Sequence, residues 1–203
     1  MRKLVICLLA LGLSQAVQAQ TGQSSGRNFK RFKVDIDFGY ASPQGTPPQS
    51  TGPQGANGGY NFNGGALFAI EPKFAIVDRL AIGVRAEGAV TAHVNTNSNG
   101  GSDNGSGQVN LSYLLTMDFY ILNGGFRPFI GGGAGIYTTA VVDSTTSNYS
   151  ASDIPRTSQF GYMARVGFEV GHLRVGAEYN FVANNASYLG LKIGIGIGGG
   201  RKR

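Results

Sequence analysis

Leu173-Arg174-Val175-Gly176-Ala177-Glu178-Tyr179-Asn180-Phe181 alternates without a break: the odd positions are apolar, and the even ones are charged, polar or glycine. A strand sends successive side chains to opposite faces, so this segment has one apolar face and one ionic face. Seven other stretches repeat the pattern. One parity gathers Phe32, Val34, Ile36, Phe38 and Tyr40, then Phe68, Ile70 and Phe74, then Leu80, Ile82, Val84 and Val90. It continues with every second residue of 109–121, 130–136, 160–170 and 189–197. The opposite parity holds Lys33, Asp35, Asp37, Glu71, Lys73, Arg85, Glu87, Asp118, Arg165, Glu169, Arg174, Glu178 and Lys192. Seven of these are acids and six are bases, so the ionic face is nearly neutral.

The N-terminus supplies the compartment. Met1-Arg2-Lys3 is a basic start, Leu4 to Leu13 is apolar, and Val17 and Ala19 suit the −3 and −1 positions of a cleavage site. Residues 1–19 therefore read as a signal peptide removed on export. The sole cysteine, Cys7, lies within it, so the exported chain has no disulfide to rely on. The segment takes two of the 17 basic residues and no acid, leaving a modestly basic chain. No later stretch approaches the ~18 apolar residues of a transmembrane helix. Glycine is abundant (33 residues), charge is sparse (14%) and tryptophan is absent, which is an all-β composition.

Eight strands are predicted near 32–40, 64–74, 80–93, 108–121, 126–140, 159–170, 173–182 and 188–198. Long connections cover 41–63, 94–107 and 141–158, with a shorter one at 183–187. The others are tight, at 75–79, 122–125 and 171–172. Asn123-Gly124 suits a two-residue type I′ hairpin, and Gly171-His172 suits type II′. Pro72 cannot donate to a ladder and predicts a bulge near the tight-turn rim. Long loops alternating with tight turns mark an up-and-down outer-membrane barrel, with loops outside and turns in the periplasm. The domain reading is a periplasmic extension at 20–31, an eight-stranded antiparallel transmembrane β-barrel at 32–198, and a basic tail at 199–203.

In a soluble barrel the apolar face points inward; in a membrane barrel it meets lipid. Aromatic residues at the ends of the apolar face (Tyr40, Phe74, Phe126, Phe160, Tyr188) favour the inverted order, as interfacial girdles. So does the ionic face, whose signs balance and whose glycines (Gly131, Gly133, Gly135, Gly190, Gly194, Gly196) leave room for long side chains. A basic side chain facing lipid at the midplane costs roughly 2–4 kcal/mol. Slipping every strand by one would expose six of them, about 12–24 kcal/mol against a total stability of ~5–15. With Gly171-His172 as the turn, Glu169 falls opposite Arg174 and Arg165 opposite Glu178, two pairs of opposite sign on the lumen face.

Ile70-Glu71-Pro72-Lys73-Phe74, running on to Leu80-Ala81-Ile82-Gly83-Val84-Arg85-Ala86-Glu87-Gly88-Ala89, resembles the outer membrane protein β-barrel domain family typical of Bacteroidetes. Phe126-Arg127-Pro128-Phe129-Ile130-Gly131-Gly132-Gly133-Ala134-Gly135 is similar to the segment opening that family's fifth strand. The resemblance covers roughly residues 30–198. It implies a small barrel like OmpX and OmpA in a Gram-negative outer membrane, with outer-membrane lipids and the barrel-insertion machinery as partners. Such barrels usually end in an aromatic residue, whereas this chain ends Gly198-Gly199-Gly200-Arg201-Lys202-Arg203. Asp143-Ser144-Thr145 resembles the O-glycosylation acceptor of the same bacteria.

Every catalytic or cofactor signature in the chain has a plainer reading. Gly194-x-Gly196-x-x-Gly199 matches a dinucleotide pattern, but no helix follows it, so it reads as a thin lumen-facing strand. His93 and His172 fall at opposite ends of the barrel, so no metal site is expected. His93 has Ser98, Ser102 and Asp103 nearby, the raw material of a lipid hydrolase, and reads instead as a rim-lining histidine. Asp35 and Asp37 recur on one strand inside a filled lumen and read as neutralised charge rather than as a glycosidase pair. No cofactor and no nucleic-acid partner are expected.

The expectation is a non-enzymatic barrel whose long loops bind or adhere, with Tyr60 and Phe62 as the loop residues that would make contact. A narrow gated channel is the alternative, and a lipid-modifying enzyme the second. Charge outside the strands is asymmetric: Arg27, Lys30, Arg31, Arg79, Arg127, Arg201, Lys202 and Arg203 share the tight-turn end with Asp78 alone.

Overall fold

The computed structural model describes residues 29–44, 61–95, 104–143, 156–184 and 186–199. Eight strands run β1 (Phe32–Pro43), β2 (Asn61–Val77), β3 (Leu80–Asn95), β4 (Asn104–Tyr120), β5 (Phe126–Asp143), β6 (Arg156–Val170), β7 (Leu173–Phe181) and β8 (Tyr188–Gly198). Each pairs antiparallel with its sequence neighbours, and β8 closes onto β1, so the sheet is a barrel without an edge. No described helix is long and apolar enough to cross a membrane.

The faces fall as the alternation dictates. Phe32, Phe38, Phe68, Val84, Leu115, Tyr162 and Ile193 lie on the outside and stay exposed, whereas Asp35, Arg85, Asp118 and Glu178 are wholly buried inside. Such an outward apolar band is stable only against hydrocarbon. Leu115, paired with Val84 and Ala134 about midway along the band, is 67% exposed. Leu115→Arg is expected to lower the stability of the barrel in lipid vesicles by about 2–4 kcal/mol in a urea titration. An unchanged midpoint would mean that this face does not meet hydrocarbon.

Gly171 has φ +60° and His172 does not share the sign, which is the type II′ geometry predicted for the β6–β7 turn. The register follows, with Glu169 opposite Arg174 and Arg165 opposite Glu178. The β4–β5 turn differs. Tyr120 pairs with Phe129, the connection spans 121–125, and neither Asn123 nor Gly124 has the positive φ of a type I′ turn. A two-residue turn would have set Tyr120 against Arg127. The observed register instead brings the Tyr120 and Phe129 rings to 6.0 Å inside the barrel and lets the Ile121 amide donate to the Pro128 carbonyl at 2.9 Å.

The irregularity in β2 also lies elsewhere. The β2–β3 register is the same on both sides of Pro72, and the shift falls between Ala75 and Val77. Pro72 sits opposite Val34 of β1 and leaves that ladder in register. The strands beside the three long connections also run further than predicted. Phe62 belongs to β2 rather than to a loop, and Arg156, at the tip of β6, takes the outward parity. There the lumen parity carries uncharged polar residues (Asn61, Asn63, Asn95, Ser106, Gln108) and the opposite parity includes glycines (Gly64, Gly105, Gly107), so the sequence contrast between the two faces fades while the backbone ladder continues. Tyr60 and the segments 45–60, 96–103 and 144–155 lie outside the described residues, as do residues 1–28 with the predicted signal peptide.

Candidate functional site

The lumen of an eight-stranded barrel is only wide enough to be filled by its own side chains. Here all thirteen charged residues predicted for the inward face point into it, and each takes part in at least one ion pair.

The group nearer the tight turns has four acids and four bases. Asp118 is its hub, with Lys73 at 2.6 Å, Arg165 at 2.7 Å and Arg174 at 3.0 Å. Arg165 also grips Glu71 with two parallel bonds of 2.7 Å each, the fork geometry that suits guanidinium to carboxylate. Asp35 faces Lys73 at 2.8 Å, Lys33 at 3.1 Å and Arg174 at 3.5 Å. Glu169 closes the group: Lys33 reaches it at 2.5 Å, the Tyr120 hydroxyl donates to it at 2.8 Å, and Arg174 pairs with it.

The group nearer the long loops has three acids and two bases. Arg85 touches every acid in it: Glu87, Glu178 at 3.0 Å and Asp37 at 3.4 Å. It also reaches Glu71 at 3.4 Å, which joins the two groups into one network. Lys192 adds Glu178 at 2.6 Å and Asp37 at 3.3 Å, and the Tyr188 hydroxyl donates to Glu87 at 2.5 Å.

Cross-strand position and ion pairing do not coincide everywhere. Glu169 and Arg174 are register partners and also pair. Arg165 and Glu178 are register partners that turn away from each other, Arg165 to Glu71 and Asp118, Glu178 to Arg85 and Lys192. A long basic side chain in a narrow lumen reaches strands on the far wall, so adjacency in the sheet does not fix its partner. Glycines make this possible: a Cβ on Gly131 would lie 2.2 Å from Asp118 Oδ1, and one on Gly194 would lie 2.1 Å from Asp37 Oδ1.

Two apolar layers bound the network. Towards the long loops, Ala41, Leu67, Leu114, Tyr137, Met163 and Tyr188 form a buried cluster with Val182 and Ala186 of the β7–β8 connection. Tyr188 is thus a lumen residue and not part of the outer girdle, since it shares parity with Lys192. At the other mouth, Arg127 lies between the rings of Tyr120 (3.9 Å) and Phe29 (4.1 Å), and Arg174 stacks on Phe129 at 3.7 Å. These guanidinium–ring contacts keep cations in an apolar setting. Of the inward aromatics, the sequence expectation places Tyr188 in the outer girdle by residue type and passes over Tyr120, Phe129 and Tyr137. Their parity alone would have placed them.

The other singled-out residues stay apart from this network. His172 Nδ1 lies 2.8 Å from the Gly196 carbonyl at the turn rim, while the side chains of His93 and Phe62 lie outside the described residues. Among the described residues no group of three His, Cys, Asp or Glu side chains is arranged to hold a metal.

A search of curated proteins finds no match. Among solved structures, the barrel is similar to OprG of Pseudomonas aeruginosa (14% identity over 87% of this chain and 100% of that one, TM-score 0.48). It is also similar to Neisserial surface protein A (16%, 85% and 99%, TM-score 0.48). A third is Ail, the attachment invasion locus protein of Yersinia pestis, in complex with the heparin analogue sucrose octasulfate (13%, 85% and 100%, TM-score 0.43). The sequence model of the outer membrane protein beta-barrel domain matches residues 5–199. With nearly the whole chain covered, this protein belongs to the outer membrane protein beta-barrel domain family.

Proposed function

We propose that this chain is a non-enzymatic outer-membrane scaffold whose barrel is closed by its own side chains and whose long loops bind or adhere. The observation carrying this reading is that the lumen charges are engaged with one another and bounded at both mouths by apolar layers. Ion flow would require these buried pairs to come apart. Substrate binding in the lumen would require the same. What remains for recognition is the end where the three longest connections emerge.

Two measurements test it. In a planar bilayer the wild-type barrel is expected to show no steady conductance; a steady current that falls on substitution of Arg165 or Glu169 would favour the narrow channel and overturn the closed reading. Vesicles displaying the intact barrel are expected to bind one surface of a glycan and matrix-protein array. Barrels with 45–60, 96–103 and 144–155 replaced by short Gly-Ser turns should lose that binding while keeping the heat-shifted electrophoretic mobility of a folded barrel. Equal binding by both would remove the loops from the proposal.

A further inference from the structure

The tight-turn rim carries a strong positive charge. Lys30 and Arg31 are exposed just before β1, and Arg79 is exposed in the β2–β3 turn. The backbone fixes two of them: the Arg31 carbonyl accepts from the Ala75 amide and the Arg79 carbonyl from the Tyr120 amide, each at 2.7 Å. The Arg31 guanidinium lies 5.9 Å from the centroid of Phe74, an exposed ring at the end of the apolar band. Arg31 therefore stands where hydrocarbon gives way to headgroups. Asp78 is the one rim carboxylate here among the described residues, since the acids of the lumen are engaged with the lumen bases. The sequence extends the sign, with Arg27 before this rim and Arg201-Lys202-Arg203 just after Gly199. At the other end the long connections and the adjoining strand tips carry Asp103, Asp143 and Asp153 against Arg156.

We propose that this rim is a collar for the phosphodiester headgroups of anionic phospholipid in the leaflet at the tight-turn end, with Arg31 and Arg79 as its fixed part and Lys30 beside them. The occupant follows from position and charge together. An anionic group bound here must sit at the level of Phe74, beside a surface that holds acyl chains. A lipid meets both demands with one molecule, and each basic residue near such a surface favours it about five-fold. The proposal stands whichever function the loops serve.

The full chain in mixed micelles of equimolar phosphatidylglycerol and phosphatidylcholine with identical acyl chains tests this, with retained lipid counted by native mass spectrometry. With one or two of these residues at each headgroup, the expected result is a phosphatidylglycerol excess of about 5- to 25-fold, collapsing towards parity in 0.5 M NaCl because screening shortens the reach of exposed charge. Lys30→Gln/Arg31→Gln/Arg79→Gln should remove most of the excess, and Arg156→Gln at the opposite rim should leave it. Heat-shifted mobility shows that each variant is folded. Equal retention of the two lipids by the wild type overturns the proposal, as does an excess that survives the triple substitution or falls equally with Arg156→Gln. Millimolar glycerol 3-phosphate should not displace the lipid; if it does, the rim recognises phosphate alone and the lipid assignment fails.

Discussion

Asp118→Leu is expected to destabilise the barrel by about 3–5 kcal/mol, the range seen when one partner of a buried ion pair is removed. Asp118 is wholly buried and holds Lys73, Arg165 and Arg174 within 3.0 Å. Without it, the group nearer the tight turns keeps four bases against Asp35, Glu71 and Glu169, so one buried cation loses its counter-charge. Leucine fills the volume, which isolates the electrostatic loss from a cavity. The measurement is urea unfolding in vesicles, read by the heat-shifted band. Asp118→Asn should fall between wild type and leucine, because it keeps one acceptor for the guanidinium of Arg165. Asp118→Leu/Lys73→Met restores the charge balance and should recover at least half of the loss. An Asp118→Leu variant within 1 kcal/mol of wild type would mean that the group nearer the tight turns does not hold the wall together.

The face assignment was legible because two signals coincide in this chain: hydrophobic alternation with period two, and the confinement of charge to one parity. Reversing Val175 and Arg174, for example, would put a guanidinium in hydrocarbon, and nothing on the opposite face could compensate. The β6–β7 register was legible for a similar reason, since glycine at 171 supplies the positive φ of a type II′ turn. Asn123-Gly124 carries an equally good local signal and fails. There the placement of Tyr120 over Phe129 and under Arg127 is a tertiary gain that the dipeptide cannot report.

Partners inside the lumen were legible only as a balanced set. Glu169 and Arg174 meet because both lie on adjacent strands near the turn. Arg165 ignores the carboxylate beside it and crosses to β2 and β4, because Gly131 opens the path to Asp118 and Glu71 presents both oxygens to one guanidinium. Reach of this kind depends on barrel diameter and on which wall positions are glycine, and neither quantity is local in sequence. The apolar layers were hidden for another reason: Leu67, Leu114 and Met163 share the ionic parity, and a search for charge passes over them.

Arg85 gives the second large effect. Its guanidinium contacts Glu87, Glu178, Asp37 and Glu71, and it supplies one of only two positive charges among three acids. Arg85→Met is expected to lose about 3–5 kcal/mol, at the upper end of that range, because Lys192 is left alone to face Asp37, Glu87 and Glu178. Arg85→Lys should lose less, about 1.5–3 kcal/mol: an ammonium keeps the charge but is a point donor without the planar fork that reaches several carboxylates at once. The decisive variant is Arg85→Met/Glu87→Gln. Removing the charge of Glu87 returns the group to its original imbalance, so the double variant should be more stable than the sum of the single losses, by a coupling of about 1–3 kcal/mol. Strict additivity would mean that Arg85 acts by filling space. Steady conductance should stay absent throughout, because neither change touches the layer of Leu67, Leu114 and Met163 or the Tyr120–Phe129 pair at the other mouth. An open state in Arg85→Met would instead identify Arg85 as the residue that keeps the lumen shut.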